Sequence, residues 1–225
     1  MAPSRSPTLR LRARGPLACF TRPELKVERV SYPVMTPSAA RGLLEAVLWK
    51  PALRWRIERI QVLAPIRFLA FRRNEVNHRA VAPPAAIVRD GGRLAPYFAD
   101  DDRAQRNTLA LRNVDYLIEA RFEMTVKAGP LDNVTKFVEI FERRLAKGQC
   151  FHRPYLGCRE LAAEVLPAAD APPAKDLTED LGLMLWDVEY GPERNRPLFF
   201  HARLERGVLA VPEEPEAAPA AGGAA

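Results

Sequence analysis

Cysteine and histidine are scarce in this chain, at three of each in 225 residues. The cysteines are Cys19, Cys150 and Cys158. Their odd number and irregular spacing argue against a disulfide framework and predict a reducing, cytoplasmic setting. Cys150, His152 and Cys158 lie close together, but no second Cys-x-x-Cys or histidine pair completes a zinc site. No metal and no cofactor is therefore expected. There is no run of about 18 apolar residues, the length a membrane-spanning helix needs. Met1 to Arg14 carries basic residues without a continuous apolar stretch, unlike a secretory signal. Also missing are the Walker A loop, GxGxxG, GxSxG and HExxH. The commonest phosphate-binding, dinucleotide, serine-hydrolase and zinc-protease signatures thus have no counterpart here.

Arginine, by contrast, is plentiful. Lys and Arg total 34 against 28 Asp and Glu, a net charge of +6. The charged residues after Pro212 are all glutamates, so the part before them is more basic than the total. Guanidinium is always charged and its planar fork suits phosphate. A basic chain of this kind fits a polyanionic partner, RNA or DNA.

The chain is long enough for one sizeable domain with an appendage. Residues 1–7 are rich in Pro, Ser and Arg and are expected to fray. Leu9, Leu11 and Ala13 then alternate with Arg10, Arg12 and Arg14, a strand with one apolar and one basic face. Residues 15–35 read mostly as loop. Thr36 can cap a helix, Pro37 suits its first position, and Ala40, Leu43, Leu44, Val47 and Leu48 recur at helical spacing. Pro51 ends it. Trp55, Ile57, Ile60 and Val62 slip phase between Ile57 and Ile60, predicting a strand with a bulge. Ile66, Phe68 and Ala70 predict another strand up to Arg72. Residues 74–107, with Pro83-Pro84, Gly91-Gly92 and Asp100-Asp101-Asp102, read as a long excursion.

Val114, Tyr116, Ile118, Ala120, Phe122 and Met124 give the cleanest alternation, a long strand. Asp132 or Asn133 can cap a second helix with the apolar stripe Val134, Phe137, Val138, Phe141 and Leu145. Residues 167–175 look like a linker. Met184 to Tyr190 and Phe200 to Leu204 predict a hairpin, with a further strand at Val208 to Val211. The tail, 212–225, reads as disordered. The predicted fold class is α+β. Its core, 8–166, is ferredoxin-like, as in RRM domains. A small C-terminal antiparallel β appendage covers 175–211.

Three stretches resemble the Cas-five family of type I-C CRISPR systems, part of the RAMP superfamily. They are CFTRPELKVERVSYPVMTPSAARGLLEAVLWKPALRWRIERIQVLAPIRF (19–68), RRNEV (72–76), and RRLAKGQCFHRPYLGCRE (143–160), the last preceded by the strand NVDYLIEARFEMT. The resemblance implies a ferredoxin-like core that binds the repeat-derived 5′ handle of the guide RNA (crRNA). It implies a place in Cascade beside the backbone and large subunits, with target DNA met through the complex. It also implies, in many members, metal-independent cutting of precursor RNA. Relatives that cut use a Tyr, a Lys and a His. At the matching positions this chain has Leu48, Lys136 and Phe137, and neither Leu nor Phe exchanges protons. Lys136 can still stabilise charge on phosphate. Among the three histidines, His152, in a family-like segment beside Arg153, is the best substitute acid or base.

For a single-stranded handle, stacking aromatics and a basic track are expected. The candidates are Arg22, Lys26, Arg29, Arg41, Trp49, Lys50, Arg72, Arg73, Arg143, Arg144, Lys147, Arg153 and Arg159. Trp55 and Trp186 are assigned to the core. Three functions stay open at this stage. The chain is a handle-binding subunit with a degenerate cutting site, an active endoribonuclease with a rearranged site, or an RRM-like adaptor outside CRISPR biology.

Overall fold

The computed structural model describes residues 4–25, 27–78, 81–169, 171–172, 174–191 and 195–215. The organising element is one strand, β5 (Arg103–Met124), 22 residues long. It is the antiparallel partner of β1 (Leu9–Ala18), β3 (Leu53–Val62) and β4 (Phe68–Val76), and the parallel partner of the two-residue β2 (Arg29–Val30). The main sheet path runs β6-β1-β5-β3-β9-β8-β7, with β6 at Glu164–Leu166, β7 at Glu179–Tyr190, β8 at Asn195–Glu205 and β9 at Val208–Ala210. The chain is thus mixed α/β, mostly a curled antiparallel sheet with few helices. The C-terminal strands join the same sheet, because β9 pairs with β3 through Arg59↔Ala210 to Gln61↔Val208.

Alternation places Leu9, Leu11 and Ala13 of β1 in the core with Ile118, Ala120 and Phe122 of β5. The opposite face of β1 is basic in sequence but neutralised in the fold. Arg10 pairs with Glu119 at 3.1 Å, Arg12 with Asp115 at 2.7 Å and Arg14 with Glu164 at 2.6 Å. Glu119 is buried, and Arg59 reaches it from β3 at 2.9 Å. The expected bulge in β3 falls between Ile57 and Arg59.

Helix α1 (Pro37–Val47) begins as its sequence dictates, with Pro37 in the first turn and the Thr36 hydroxyl accepting the Ala39 N–H at 3.3 Å. Removing that cap in Thr36→Ala should cost about 1 kcal/mol. The check is the urea midpoint at unchanged m-value, and an unmoved midpoint would mean the cap contributes nothing. A short helix, α2 (Ala85–Arg89), lies in the excursion, and α3 (Val134–Ala146) is capped by Asn133, whose side-chain oxygen accepts from the Lys136 N–H at 2.9 Å. α3 turns Phe137, Phe141 and Leu145 inward. There Trp55 meets Phe122 at 5.4 Å and Phe141 at 5.1 Å between ring centroids, and Phe122 meets Phe137 at 6.3 Å. Such offset and edge-on pairs add about 0.5–1.5 kcal/mol each beyond area burial. Trp55 is buried as expected, with its indole N–H donating to the Leu48 carbonyl at 2.9 Å. Trp186 packs only partly against the core and donates to the Pro212 carbonyl.

Two stretches read as loop contain strand. β1 runs on to Ala18 and β2 covers Arg29–Val30, inside the segment 15–35. The excursion 74–107 is strand at both ends, since the β4–β5 ladder continues to Val76↔Arg103. The less exposed positions at the start of β5 are Ala104, Arg106, Thr108 and Ala110, too polar or too small to give the apolar alternation that sequence reading relies on. Residues 4–6 are also tied down. The Ser6 N–H donates to the Phe122 carbonyl at 2.9 Å, the Phe122 N–H donates to the Ser6 hydroxyl at 2.9 Å, and Arg5 pairs with Glu123 at 2.9 Å. No helix among the described residues is long and apolar enough to cross a membrane.

Candidate nucleic-acid interface

The loop after α1 and the outer side of α3 form a cleft of about 380 Å³ lined by Lys50, Lys127, Lys136, Arg143 and Arg144, with Asp132 the single acid. Two elements build it. Helix α1 stops at Val47 and Pro51 turns the chain into β3, which projects Trp49 and Lys50 into solvent. The apolar stripe of α3 faces the core, so its cations are left on the outside. Arg144 reaches across and donates to the Val47 carbonyl at 2.9 Å, which fixes the two helices' ends against each other.

Lys136 donates to Asp132 at 2.9 Å. That hydrogen bond, the Gly129 N–H and the nearby charge of Lys50 hold the Asp132 carboxyl below the usual carboxylate range. Lys136 therefore has an internal anionic partner that offsets part of its charge. Two large aromatics stand exposed at this end of α1. Trp49 is 55% exposed and Phe151 81% exposed. The Phe151 N–H donates to the Ala46 carbonyl at 2.7 Å, which anchors the segment after α3 beside α1. Exposed aromatics beside clustered cations provide stacking surfaces and phosphate contacts together.

Other candidates lie elsewhere. Arg22 lies over the Tyr32 ring at 4.6 Å. Lys26 lies outside the described residues. Arg41 is held by Asp187 at 2.6 Å and Glu45 at 3.1 Å. Arg29 and Arg73, distant in sequence, meet through Glu160 at 2.5 and 3.3 Å and through Glu75 at 3.7 and 2.7 Å. These arginines carry compensated charge. Arg72 donates to Gln105 at 3.2 Å on the exposed β4–β5 ribbon. Lys147, Arg153 and Arg159 are exposed, Lys147 as the last cap of α3 and the other two in the segment 151–160.

The cutting candidates are not brought into one cleft. Lys136 is on the first turn of α3, while His152 follows its last turn and does not line the cleft. From Lys136 to Ala146 the helix alone rises about 15 Å. His152 is exposed, stacks with Tyr155 at 6.2 Å, and faces the Arg153 carbonyl. Leu48 and Phe137 are both buried core residues. Lys127 carries no signal in the sequence, being a lone lysine in a turn after β5, and only the fold carries it to the cleft. Among the described residues, no group of three or more His, Cys, Asp or Glu is placed to hold a metal ion.

A crystal structure described as that of a CRISPR-associated protein shares this arrangement of sheet and helices, aligning over 97% of this chain and 98% of its own, with TM-score 0.69 and 21% identity. The chain belongs to the Cas5d family of subtype I-C, since the family model described as CRISPR-associated protein (Cas_Cas5) matches residues 8–217. Two relatives carry the description CRISPR pre-crRNA endoribonuclease Cas5d. The one from Mannheimia succiniciproducens is 46% identical over 213 residues, covering 91% of this chain and 94% of the relative. The one from Thermus thermophilus is 44% identical over 224 residues, covering 92% of each.

Proposed function

We propose that this protein holds the repeat-derived 5′ handle of the crRNA as a subunit of a type I-C Cascade. The observation that carries this reading is the cleft in which Lys50, Lys127, Lys136, Arg143 and Arg144 converge, at the end of α1 that exposes Trp49 and Phe151. Lysines and arginines track a phosphate backbone, and aromatic faces accept bases of any sequence. The strand order β6-β1-β5-β3, with α1 and α3 as crossovers, supports reading the core as ferredoxin-like. On this reading β7 to β9 are its appendage. The backbone and large subunits are the protein partners, target DNA is met through the complex, and the setting is the cytoplasm.

We further infer that the cutting site is degenerate. Metal-independent cleavage needs one group to take the 2′-hydroxyl proton and another to protonate the leaving oxygen. Leu48 and Phe137 can do neither, and their burial marks them as packing residues. Lys136 offers charge alone. The relatives described as endoribonucleases favour the competing reading, an active site rebuilt around Lys136.

One experiment separates the two. The protein and a Lys136→Ala variant are incubated with labelled cognate repeat RNA in EDTA. Binding without cutting by the parent protein is the expected result. Specific cutting that Lys136→Ala loses would overturn the degenerate site while leaving handle binding in place. Absence of binding would overturn the whole reading.

A further inference from the structure

The end of β1 carries a compact group of thiol-active side chains that the RNA cleft does not use. Cys19 and Cys158 lie 139 positions apart in sequence, yet the Cys158 thiol is 3.5 Å from the Cys19 carbonyl. The Thr21 hydroxyl lies 3.5 Å from the Cys19 sulfur and 3.8 Å from the Cys158 sulfur. Arg29 points Nη1 at the Cys158 sulfur from 3.4 Å. The same guanidinium holds Glu160 at 2.5 Å. The backbone enforces the juxtaposition, because the Cys19 N–H donates to the Leu156 carbonyl at 3.0 Å. Cys19 is buried and Cys158 is partly open to solvent. The third cysteine, Cys150, belongs to no such group.

We propose that Cys158 and Cys19 form a reversible thiol–disulfide pair, in which Cys158 is modified by small-molecule disulfides and Cys19 resolves the adduct into an intrachain bond. Cys158 is the accessible sulfur with a cation beside it, the setting that makes a thiol reactive. The two sulfurs divide their acidity in opposite directions. The neighbouring Cys19 pulls the Cys158 thiol below the usual range, against the cost of desolvation, with further help from Thr21 and Arg29 and opposition from Glu160. The proximity of Cys158, with burial, pushes Cys19 up. Burial likewise pushes Cys150 up.

The chemistry balances. The Cys158 thiolate attacks one sulfur of the small disulfide, forming a mixed disulfide and expelling one thiolate. The Cys19 sulfur then attacks the Cys158 sulfur, losing its proton to the second departing thiolate. The protein dithiol is oxidised and the small disulfide is reduced to two thiols. A bond of this kind in a reducing compartment is a transient, redox-sensing one. Its structural effect is to staple the segment that carries Phe151, Arg153 and Arg159 to the end of β1.

The test uses the full chain with oxidised glutathione at pH 7, followed by alkylation of remaining thiols and peptide mass spectrometry. The expected product links Cys19 to Cys158 and leaves Cys150 alkylated. Cys19→Ser should trap glutathione on Cys158. Cys158→Ser should leave both remaining thiols unlinked. On the reduced protein, brief iodoacetamide treatment should label Cys158 about fivefold faster than Cys150, the larger thiolate fraction outweighing the lower nucleophilicity of an acidic thiol. Arg29→Gln should narrow that ratio. Preferential modification of Cys150, or no Cys19–Cys158 link after prolonged exposure, would overturn the proposal. The labelling ratio in the unmutated protein decides the matter if Cys19→Ser fails to fold.

Discussion

Gly157→Ala is expected to destabilise the protein by about 3 kcal/mol, combining left-handed strain with overpacking. Gly157 sits at φ +85°, and a Cβ there would lie 2.1 Å from the Cys19 carbonyl oxygen and 2.7 Å from its carbon. Both obstacles are backbone, so no side chain can swing aside. Relief requires moving residues 154–161 off β1, which breaks the Cys19–Leu156 hydrogen bond and the packing of Leu156, a fully buried residue. Gly148→Ala is the control. Gly148 has φ +62° but open space around its Cβ position. It should cost only the strain, about 1 kcal/mol. Denaturant midpoints measure both, and equal losses in the two variants would show that the close approach at Cys19 carries no weight.

Trp49→Ala with Phe151→Ala should weaken binding of single-stranded repeat RNA by about 2–6 kcal/mol, at about 1–3 per stacked base. Both rings are largely exposed, so folding stability should be nearly unchanged. The salt dependence of binding should also keep its slope, since neither substitution removes a cation. Arg143→Ala is the complement, since it should lower the slope by about one phosphate contact while leaving stacking intact. Filter binding across a salt series reads both quantities. If the aromatic pair changes affinity by less than twofold, the exposed rings serve something other than RNA.

Much of this molecule can be read from one dimension, and the reasons lie in particular residues. The Thr36-Pro37 start, the phase slip after Ile57 and the stripe Phe137, Phe141, Leu145 are local patterns, and the fold repeats them. The first ten residues of β5 are different. Their solvent exposure alternates without an apolar signal, so strand there depends on β4 across the ladder. The site shows the same division. Lys50, Arg143 and Arg144 are visible as clusters in sequence and line one cleft in the fold. Lys127 joins them only through the turn that follows β5. The compensation of Arg29 and Arg73 by Glu75 and Glu160 links residues as far as 131 positions apart. No local pattern announces such pairings.

The position of β5 also dictates when this protein can fold during synthesis. β1, β2, β3 and β4 each depend on β5 for an extended ladder, and among the described residues no two of those four form one with each other. The residues before β5 therefore leave the ribosome as two helices, α1 and the short α2, with unsatisfied strands. At about 5–20 residues per second, roughly five to twenty seconds separate the appearance of β1 from that of the end of β5. Until then these edges are open to any passing strand. A chaperone that covers exposed strand edges would have to act within that interval to protect the nascent chain.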